Sequence, residues 1–374
     1  MNKLAQRTVM VAGGAGFVGS AVIRELLKLG AKVVCFDNYL HGLAKNVEGI
    51  EGPLTLVYGN ALDTWKLIDT INRHHVEYVI DCIGDTYVIS AYEMPQRFFD
   101  VNLQANFNVL MAAKVCNVKR VVYISSTEVY GQHDLEKFNE DTPLNPLNTY
   151  AVSKLAADRL CFTLHVEHKI PVVTARIFNC YGPRETHPYI IPEIISQLAQ
   201  GSTLSLGNLK AERDFTYVHD TARALIAVLQ SDIPNGETVN VGSDTSYSVE
   251  WLAYKIAELM DRPAIEIKLD PKRFRRLDLD RLRCDNAKLK HYTGWTPLVS
   301  IEEGLKKTIN WFRENNNHWP WEFTMKDVRF DEQRMPAKES VGALAIASTE
   351  HVSGNGGNGS PQIHADAMPA VSVV

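Results

Sequence analysis

The 374-residue sequence holds no apolar run near the ~20 residues needed to cross a bilayer. The stretch Met1–Thr8 is polar, without a signal-peptide core, so a cytoplasmic protein with no membrane partner is expected. The six cysteines, Cys35, Cys82, Cys116, Cys161, Cys180 and Cys284, form no Cys-x-x-Cys pair. That spacing argues against a metal site or a disulfide framework and for buried, reduced thiols. A net charge of −5 gives no reason to expect nucleic acid. No internal repeat is visible. What remains, 45% hydrophobic and 22% charged residues, is an ordinary globular composition with length enough for a sizeable core.

Glycine, by contrast, is clustered early. Thr8–Ala12 is a short apolar run ended by glycine and reads as a buried parallel strand. Gly13-Gly14-Ala15-Gly16-Phe17-Val18-Gly19 comes next and opens a helix over Ser20–Leu29. Gly13, Gly16 and Gly19 are three apart twice, and from Gly14 the stretch also satisfies G-x-G-x-x-G. Such glycines let the backbone turn tightly and approach a pyrophosphate seated on the helix N-terminus. A second strand, Ala31–Phe36, is closed by Asp37, eighteen residues after Gly19. An acid there hydrogen-bonds ribose hydroxyls and repels a 2′-phosphate, which favours NAD over NADP. The next residues, Asn38-Tyr39-Leu40-His41, offer no arginine or lysine to neutralise one. Leu54–Tyr58, followed by Gly59-Asn60-Ala61, and Tyr78–Cys82, followed by Ile83-Gly84, read as further strands. Alternation with helical stretches at Asp63–Arg73 and Pro95–Cys116 predicts an α/β fold with a doubly wound parallel sheet.

A fifth strand, Lys119–Ser125, runs into Ser126-Thr127-Glu128. Polar side chains just past the carboxyl end of a central strand lie where such sheets bind ligands. Tyr150 and Lys154 are four apart at the start of a helix over Tyr150–His168 and so share a face. The cation is expected to favour the ionised phenol, which could then take a proton from a hydroxyl while a nicotinamide takes the hydride. After a sixth strand at Pro171–Ile177 the texture changes at Phe178-Asn179-Cys180-Tyr181-Gly182-Pro183-Arg184. The elements become shorter: helices at Ile190–Leu198, Thr221–Leu229, Val249–Met260 and Ile301–Asn315, with a strand at Thr238–Val241. Arg213, Arg273, Arg275, Arg276 and Arg281 are concentrated here, and arginine forks suit diphosphate oxygens as well as the interleaved aspartates. From 335 to 374 the chain has no helical or strand period and is expected to be a disordered tail.

Together, Gly13-x-x-Gly16-x-x-Gly19, Asp37, Ser126, Tyr150-x-x-x-Lys154 and Asn179-x-Tyr181-Gly182-Pro183-Arg184 resemble the extended short-chain dehydrogenase/reductases. Arg213-Asp214-Phe215-Thr216-Tyr217-Val218-His219-Asp220 and Gly294-Trp295-x-Pro297 add to the likeness, which runs from about residue 8 to 312. It points to the NAD-dependent epimerase/dehydratases of nucleotide sugars. The resemblance implies a Rossmann-type NAD domain over 1–179 and a smaller α/β substrate domain over 180–330, partly interleaved with the first. It implies NAD contacts from Gly13, Gly16, Phe17, Val18, Gly19, Asp37, Asn38, Asn60, Ala61, Tyr150 and Lys154. Tyr150 would be the acid/base, Lys154 would bind the nicotinamide ribose, and Ser126 would hold the reacting hydroxyl. Thr86, Ser126, Asn179, Arg184 and Arg213 would face the nucleotide-diphosphate sugar, with a further arginine at Arg273 or Arg275. No metal is implied. A homodimer is implied, two helices from each subunit forming a four-helix bundle with apolar positions such as Leu103, Phe107, Leu110, Leu155 and Leu160.

The sequence also departs from the family pattern. Asn60 replaces an aspartate near the adenine, and Ile83-Gly84-Asp85-Thr86 replaces an alanine-rich segment. Asn102-Leu103-Gln104-Ala105-Asn106 keeps the family asparagine but lacks the glycine and threonine that often come after it. Thr127 stands where dTDP-glucose 4,6-dehydratases carry an aspartate. The stretch Leu206–Asp214, with Ile191–Ile195, Arg281-Leu282 and Asp285, is most similar to GDP-mannose and UDP-N-acetylglucosamine 4,6-dehydratase-like enzymes. The expected reaction is 4,6-dehydration, with Glu128 as the base at C5. The alternatives are a 4-epimerase, a UDP-glucuronate decarboxylase-type enzyme, a net oxidoreductase, or a non-catalytic NAD-binding relative.

Overall fold

Apolar residues alternate along the first strand, and the alternation sets the layers. In the computed structural model, which describes residues 3–274 and 279–322, β1 (Thr8–Ala12) sends Val9 and Val11 into one apolar layer and Met10 and Ala12 into the other. β2 (Lys32–Asp37), β3 (Leu54–Tyr58), β4 (Tyr78–Asp81), β5 (Arg120–Ser126) and β6 (Val172–Ile177) pair in parallel around it. Helix α1 (Phe17–Lys28) covers one face. The other is covered by α2 (Thr64–Arg73) and, beyond the short helices α3 (Val88–Glu93) and α4 (Pro95–Phe99), by α5 (Ala105–Val115) and α6 (Thr149–His168).

The remaining elements are β7 (Asn179–Tyr181), α7 (Ile190–Gln200), β8 (Thr203–Leu206), β9 (Glu212–Tyr217), α8 (Val218–Gln230) and β10 (Thr238–Val241). After them come β11 (Ser246–Ser248), α9 (Val249–Leu259), β12 (Glu266–Leu269), β13 (Arg281–Leu282), α10 (Ala287–Thr293) and α11 (Ile301–Glu314). β10 does not stay with the later elements, as its position in the sequence suggested. It pairs with β6 and completes a seven-stranded parallel sheet in the order β10-β6-β5-β4-β1-β2-β3. Helix α8 packs beside α1 on the same face. A separate apolar cluster joins α7, α9 and α11 to β8 and β9.

Two expectations change in the structure. The single helix foreseen over Pro95–Cys116 is broken into α4, a π-helical turn at Asp100–Gln104, and α5. At that turn the Asn102 Oδ1 accepts from the Asp85 amide (2.8 Å), while its Nδ2 donates to the Asp85 carbonyl (3.0 Å) and to Ser153 Oγ (2.9 Å). Of the apolar positions expected to face a partner, Leu110 is fully buried inside the subunit, and Leu103, Phe107 and Leu160 are partly buried against the same core. The tail from 335 onward lies outside the described residues, as do Arg275 and Arg276.

α6 is tied to β6 by a buried two-pronged ion pair. Arg176 Nε and Nη2 each donate to Asp158 at 2.9 Å, and Nη1 donates to Tyr130 Oη at 3.1 Å. Removing one partner of such a pair strands the other charge without water. Asp158→Ala should therefore lower unfolding free energy by about 3–5 kcal/mol in urea titration. A loss under ~1 kcal/mol would show that α6 is held by its apolar face alone.

Candidate active site

Ser126 ends β5 in extended conformation, and its Oγ accepts from the Glu128 amide at 3.2 Å, starting a short 3₁₀ turn over Thr127–Val129. Asn148 caps α6: its Oδ1 accepts from the Ala151 amide at 2.8 Å, and its Nδ2 donates to Glu128 Oε2 at 3.1 Å. One asparagine thus starts the helix that carries Tyr150 and fixes the carboxylate beside it. Tyr150 and Lys154 lie on the buried face of α6, as their spacing predicted.

Their electrostatics differ from the expectation. Burial pushes the Tyr150 phenol well up, hydrogen bonding with Ser126 only partly opposes this, and the charges of Glu128 and Asp85 add to it. Burial pulls the Lys154 ammonium down to about 8, against the nearby Asp81 carboxylate. Lys154 Nζ donates to the Ile124 carbonyl at 2.5 Å and lies 4.6 Å from the centre of the Tyr123 ring. The ammonium is therefore committed to the backbone of β5, and it does not depress the phenol in this state.

A cavity of about 490 Å³ opens over these groups. Its walls include Phe17, Val18, Thr86, Ser126, Thr127, Glu128 and Tyr150 on one side, and Asn179, Arg213, Lys272 and Arg273 on the other. Arg213 is nearly buried and braces itself on the Glu212 carbonyl (2.9 Å). Arg273 pairs with Glu193 at 2.8 Å. Thr86 is held by Tyr189, whose hydroxyl donates to its carbonyl and Oγ1 at 2.8 and 2.9 Å. Asn179 is exposed on β7. Arg184 does not join this group; it lines a second cavity with Arg24.

The glycine loop forms the neighbouring cradle. Gly13 has φ +75°, and a Cβ there would stand 2.9 Å from the Cys82 carbonyl oxygen. A Cβ on Gly19 would stand 2.8 Å from the Gly14 Cα, so α1 packs against the loop only without one. Gly16 caps α1 with no side-chain hydrogen bond, and the first turn carries no acid. That leaves the amides of a 12-residue helix to face an anion. Asp37 closes β2 and is buried; its Oδ2 accepts from the Ala15 amide (2.9 Å) and its Oδ1 from the Tyr39 amide (2.8 Å). Burial raises its carboxyl while the amides of Tyr39, Ala15 and Asn38 oppose the rise. Asn38 and Asn60 use their side-chain oxygens on the Leu40 and Leu62 amides (3.1 and 3.0 Å). The Ala61 carbonyl accepts from Asn108 Nδ2 at 2.9 Å. The cradle, the bare helix start and the acid at the end of β2 fit a dinucleotide.

Several residues near the site were not foreseen. Asp85 Oδ2 lies 2.7 Å from Arg97 Nε and 3.6 Å from His41 Nε2, and Arg97 also contacts His41. Burial would raise the Asp85 carboxyl, but the bond to His41 and the charges of His41 and Arg97 hold it below its ordinary value. His187 stands beside His41, Tyr87 and Tyr189, and burial, then the His41 charge, lowers it to about 4. Glu185 also lines the main cavity, and burial holds its carboxyl far above the ordinary range. These side chains come from segments distant in sequence, loops except for Arg97 on α4. Only Asp85 had a signal, its place in a segment unlike the family's. Among the described residues, no three His, Cys, Asp or Glu cluster as a metal site. None of their helices is long and apolar enough to cross a membrane.

Residues 10–308 match the family model described as GDP-mannose 4,6 dehydratase. The chain belongs to that family. It is an enzyme of the extended short-chain dehydrogenase/reductases, among the nucleotide-sugar epimerases and dehydratases. It is similar to UDP-N-acetyl-alpha-D-glucosaminuronate decarboxylase of Bacillus cytotoxicus, 32% identical over 326 residues, which cover 83% of this chain and 99% of the relative. It is 30% identical over 324 residues to the dTDP-D-glucose 4,6-dehydratase of Homo sapiens, covering 84% of this chain and 92% of that one. A solved structure of UDP-glucose 4-epimerase from Thermus thermophilus in complex with NAD matches with TM-score 0.74 and 27% identity. That match covers 82% of this chain and 99% of the other.

The separation of the arginines is testable in the enzyme. Arg213→Gln should weaken binding of a nucleoside diphosphate about ten- to a hundred-fold by calorimetry, the scale of a lost charged hydrogen bond. Arg184→Gln should change it less than about two-fold, since that side chain lies in the other cavity. Equal losses in the two variants would contradict the separation.

Proposed function

We propose that the enzyme is an NAD-dependent nucleotide-sugar 4,6-dehydratase. The observation that carries the reading is the Glu128 carboxylate in the same cavity as Ser126 and Tyr150, fixed there by Asn148. NAD is supported over NADP by the buried Asp37 carboxylate at the end of β2 and by NAD complexes of similar enzymes. When bound, NAD accepts the hydride from C4 of the sugar and later returns it.

The chain's own residues handle protons and position. Arg213 and Arg273 meet the diphosphate, Arg213 with little freedom left to lose because it is already braced. Ser126 hydrogen-bonds the C4 hydroxyl, and Tyr150 takes its proton as the 4-ketone forms. Lys154, anchored on the Ile124 carbonyl, would bind the nicotinamide ribose. The ketone acidifies the C5 hydrogen; Glu128 removes that proton, and the C6 hydroxyl leaves as water with the equivalent of the proton taken from the C4 hydroxyl. Return of the hydride to C6 and of the Glu128 proton to C5 completes the step. The product is a 4-keto-6-deoxy sugar with the oxidised cofactor restored, so no net oxidant is consumed.

A second reading, C6 decarboxylation of a nucleotide uronate, is favoured by the Bacillus cytotoxicus relative and by Thr127 in place of the second carboxylate. It shares the oxidation at C4 but needs no base at C5. Glu128→Gln separates these chemistries. In a dehydratase the variant should still oxidise C4, seen as reduced-cofactor absorbance in a single turnover. Formation of the 4-keto-6-deoxy product should fall about 10²-fold or more. An unimpaired variant, or a product that keeps its 6-hydroxyl with C4 inverted or has lost CO₂, would reassign the reaction.

We also propose a homodimer through α5 and α6. Val152, Phe162 and Val166 on α6 are 40%, 43% and 49% exposed, and Val115 at the end of α5 is 59% exposed. They supply the outward apolar stripe that Leu110 does not. Phe162→Glu should shift the mass measured by light scattering from dimer to monomer at micromolar protein. A monomeric wild type, or a variant that stays dimeric, would exclude this face.

A further inference from the structure

A second cavity of about 240 Å³ shares no lining residue with the catalytic one. Arg24 from α1, Arg184 after β7, Lys45 and Asn46 from the short turn after β2, Trp311 from α11 and His318 after it line this cavity. The only carboxylate in its wall is Glu48, an exposed side chain. Arg24 and Arg184 are both half-buried. Arg24 spends one nitrogen on the Ser20 carbonyl (2.9 Å). No carboxylate among the described residues forms an ion pair with Arg24 or Arg184. Two guanidiniums held in one partly desolvated cavity repel each other and lose hydration, and no carboxylate among the described residues pairs with either to offset that cost. The repulsion shows in Arg24, which burial, then the charge of Arg184, lowers to about 10. Arg184 is also held at φ +68°, a left-handed backbone uncommon for a non-glycine residue and one that a tightly specified loop retains.

We infer that this cavity is a binding site for a phosphate-class dianion, gripped between the Arg24 and Arg184 guanidiniums. Guanidinium forks match phosphate oxygens in geometry and charge, and two forks from different elements can take opposite sides of one anion. At ~30 Å³ per water the space equals about eight waters, enough for a phosphate and a small group attached to it. The wall is joined to the glycine loop, since the Leu43 amide and Asn46 Nδ2 donate to the Ala15 carbonyl at 3.0 and 2.9 Å. An anion here would connect that loop to the end of α11.

The test is calorimetry on the full-length enzyme saturated with NAD and a nucleoside diphosphate, which fill the catalytic cavity, at constant ionic strength. Inorganic phosphate, pyrophosphate and glucose 1-phosphate are titrated separately to distinguish a free ion from a phosphorylated metabolite. At least one should bind saturably at one site per chain. Arg184→Gln and Arg24→Gln should each weaken it at least about ten-fold, and Arg24→Lys should recover part of the loss. Because Arg184 has a strained backbone, each variant is checked by its melting temperature, and Arg24→Gln carries the conclusion should Arg184→Gln fail to fold. No saturable binding of any probe would overturn the inference. So would binding that both glutamine variants leave within about two-fold, or binding that the nucleoside diphosphate displaces.

Discussion

Burial of the Tyr150–Lys154 face of α6 is the constraint around which the structure is arranged. Removing a phenol and an ammonium from water is costly, and the surroundings compensate with fixed polar groups. Lys154 is received by the Ile124 carbonyl and the Tyr123 ring; Tyr150 is met by Ser126. The helix is fastened at three places along its length. Asn148 caps its start, Ser153 takes a hydrogen bond from Asn102, and Asp158 is locked to Arg176. Each fastening reaches a different part of the sheet or of its loops. The helix cannot slide without breaking one, so the two titrating groups stay registered with the end of β5.

The same constraint explains the divergence of the phenol from the simple Tyr–Lys picture. Two residues four apart on a helix share a face, but sharing a face does not make their heads touch. Lys154 donates to a backbone carbonyl of β5 instead. Its positive charge is then spent locally, and burial dominates the phenol.

Much of this was legible because it is local. Gly13, Gly16 and Gly19, Asp37 at the end of a strand and Ser126 at the end of another are patterns of two to seven residues. Their geometry is dictated by backbone sterics and by the hand of a parallel sheet. The alternation in β1 and the four-residue spacing in α6 work in the same way. The rest depends on contacts between distant segments. β10 and α8 come after the change of texture at 180 yet complete the first sheet, because the edge of β6 and the face beside α1 are the apolar surfaces left to cover. The His41–Asp85–Arg97 cluster draws two residues from different loops and one from the short helix α4. Arg184 sits in a family motif, yet it lines the second cavity rather than the cleft that the motif suggests.

The relatives' names span decarboxylation, dehydration and epimerisation, and the site shows why one scaffold serves all three. In the proposed reaction the first step is oxidation at C4, and the groups assigned to it, Ser126, Tyr150 and Lys154, are all buried here. The later steps depend on which atom the 4-ketone activates next, and on the group standing over it. Those positions, Thr127, Glu128 and the Thr86 edge, lie on the turn after β5 and the loop after β4. A change there alters neither the packing of α6 nor the glycine cradle. Glu128 is braced by the residue that also caps α6, as Thr86 is by Tyr189. The brace holds the carboxylate in one position over the cavity, as removal of a C5 proton would require. Its coupling to the catalytic helix is the physical argument for a base at C5 rather than a solvated acid at the cavity wall.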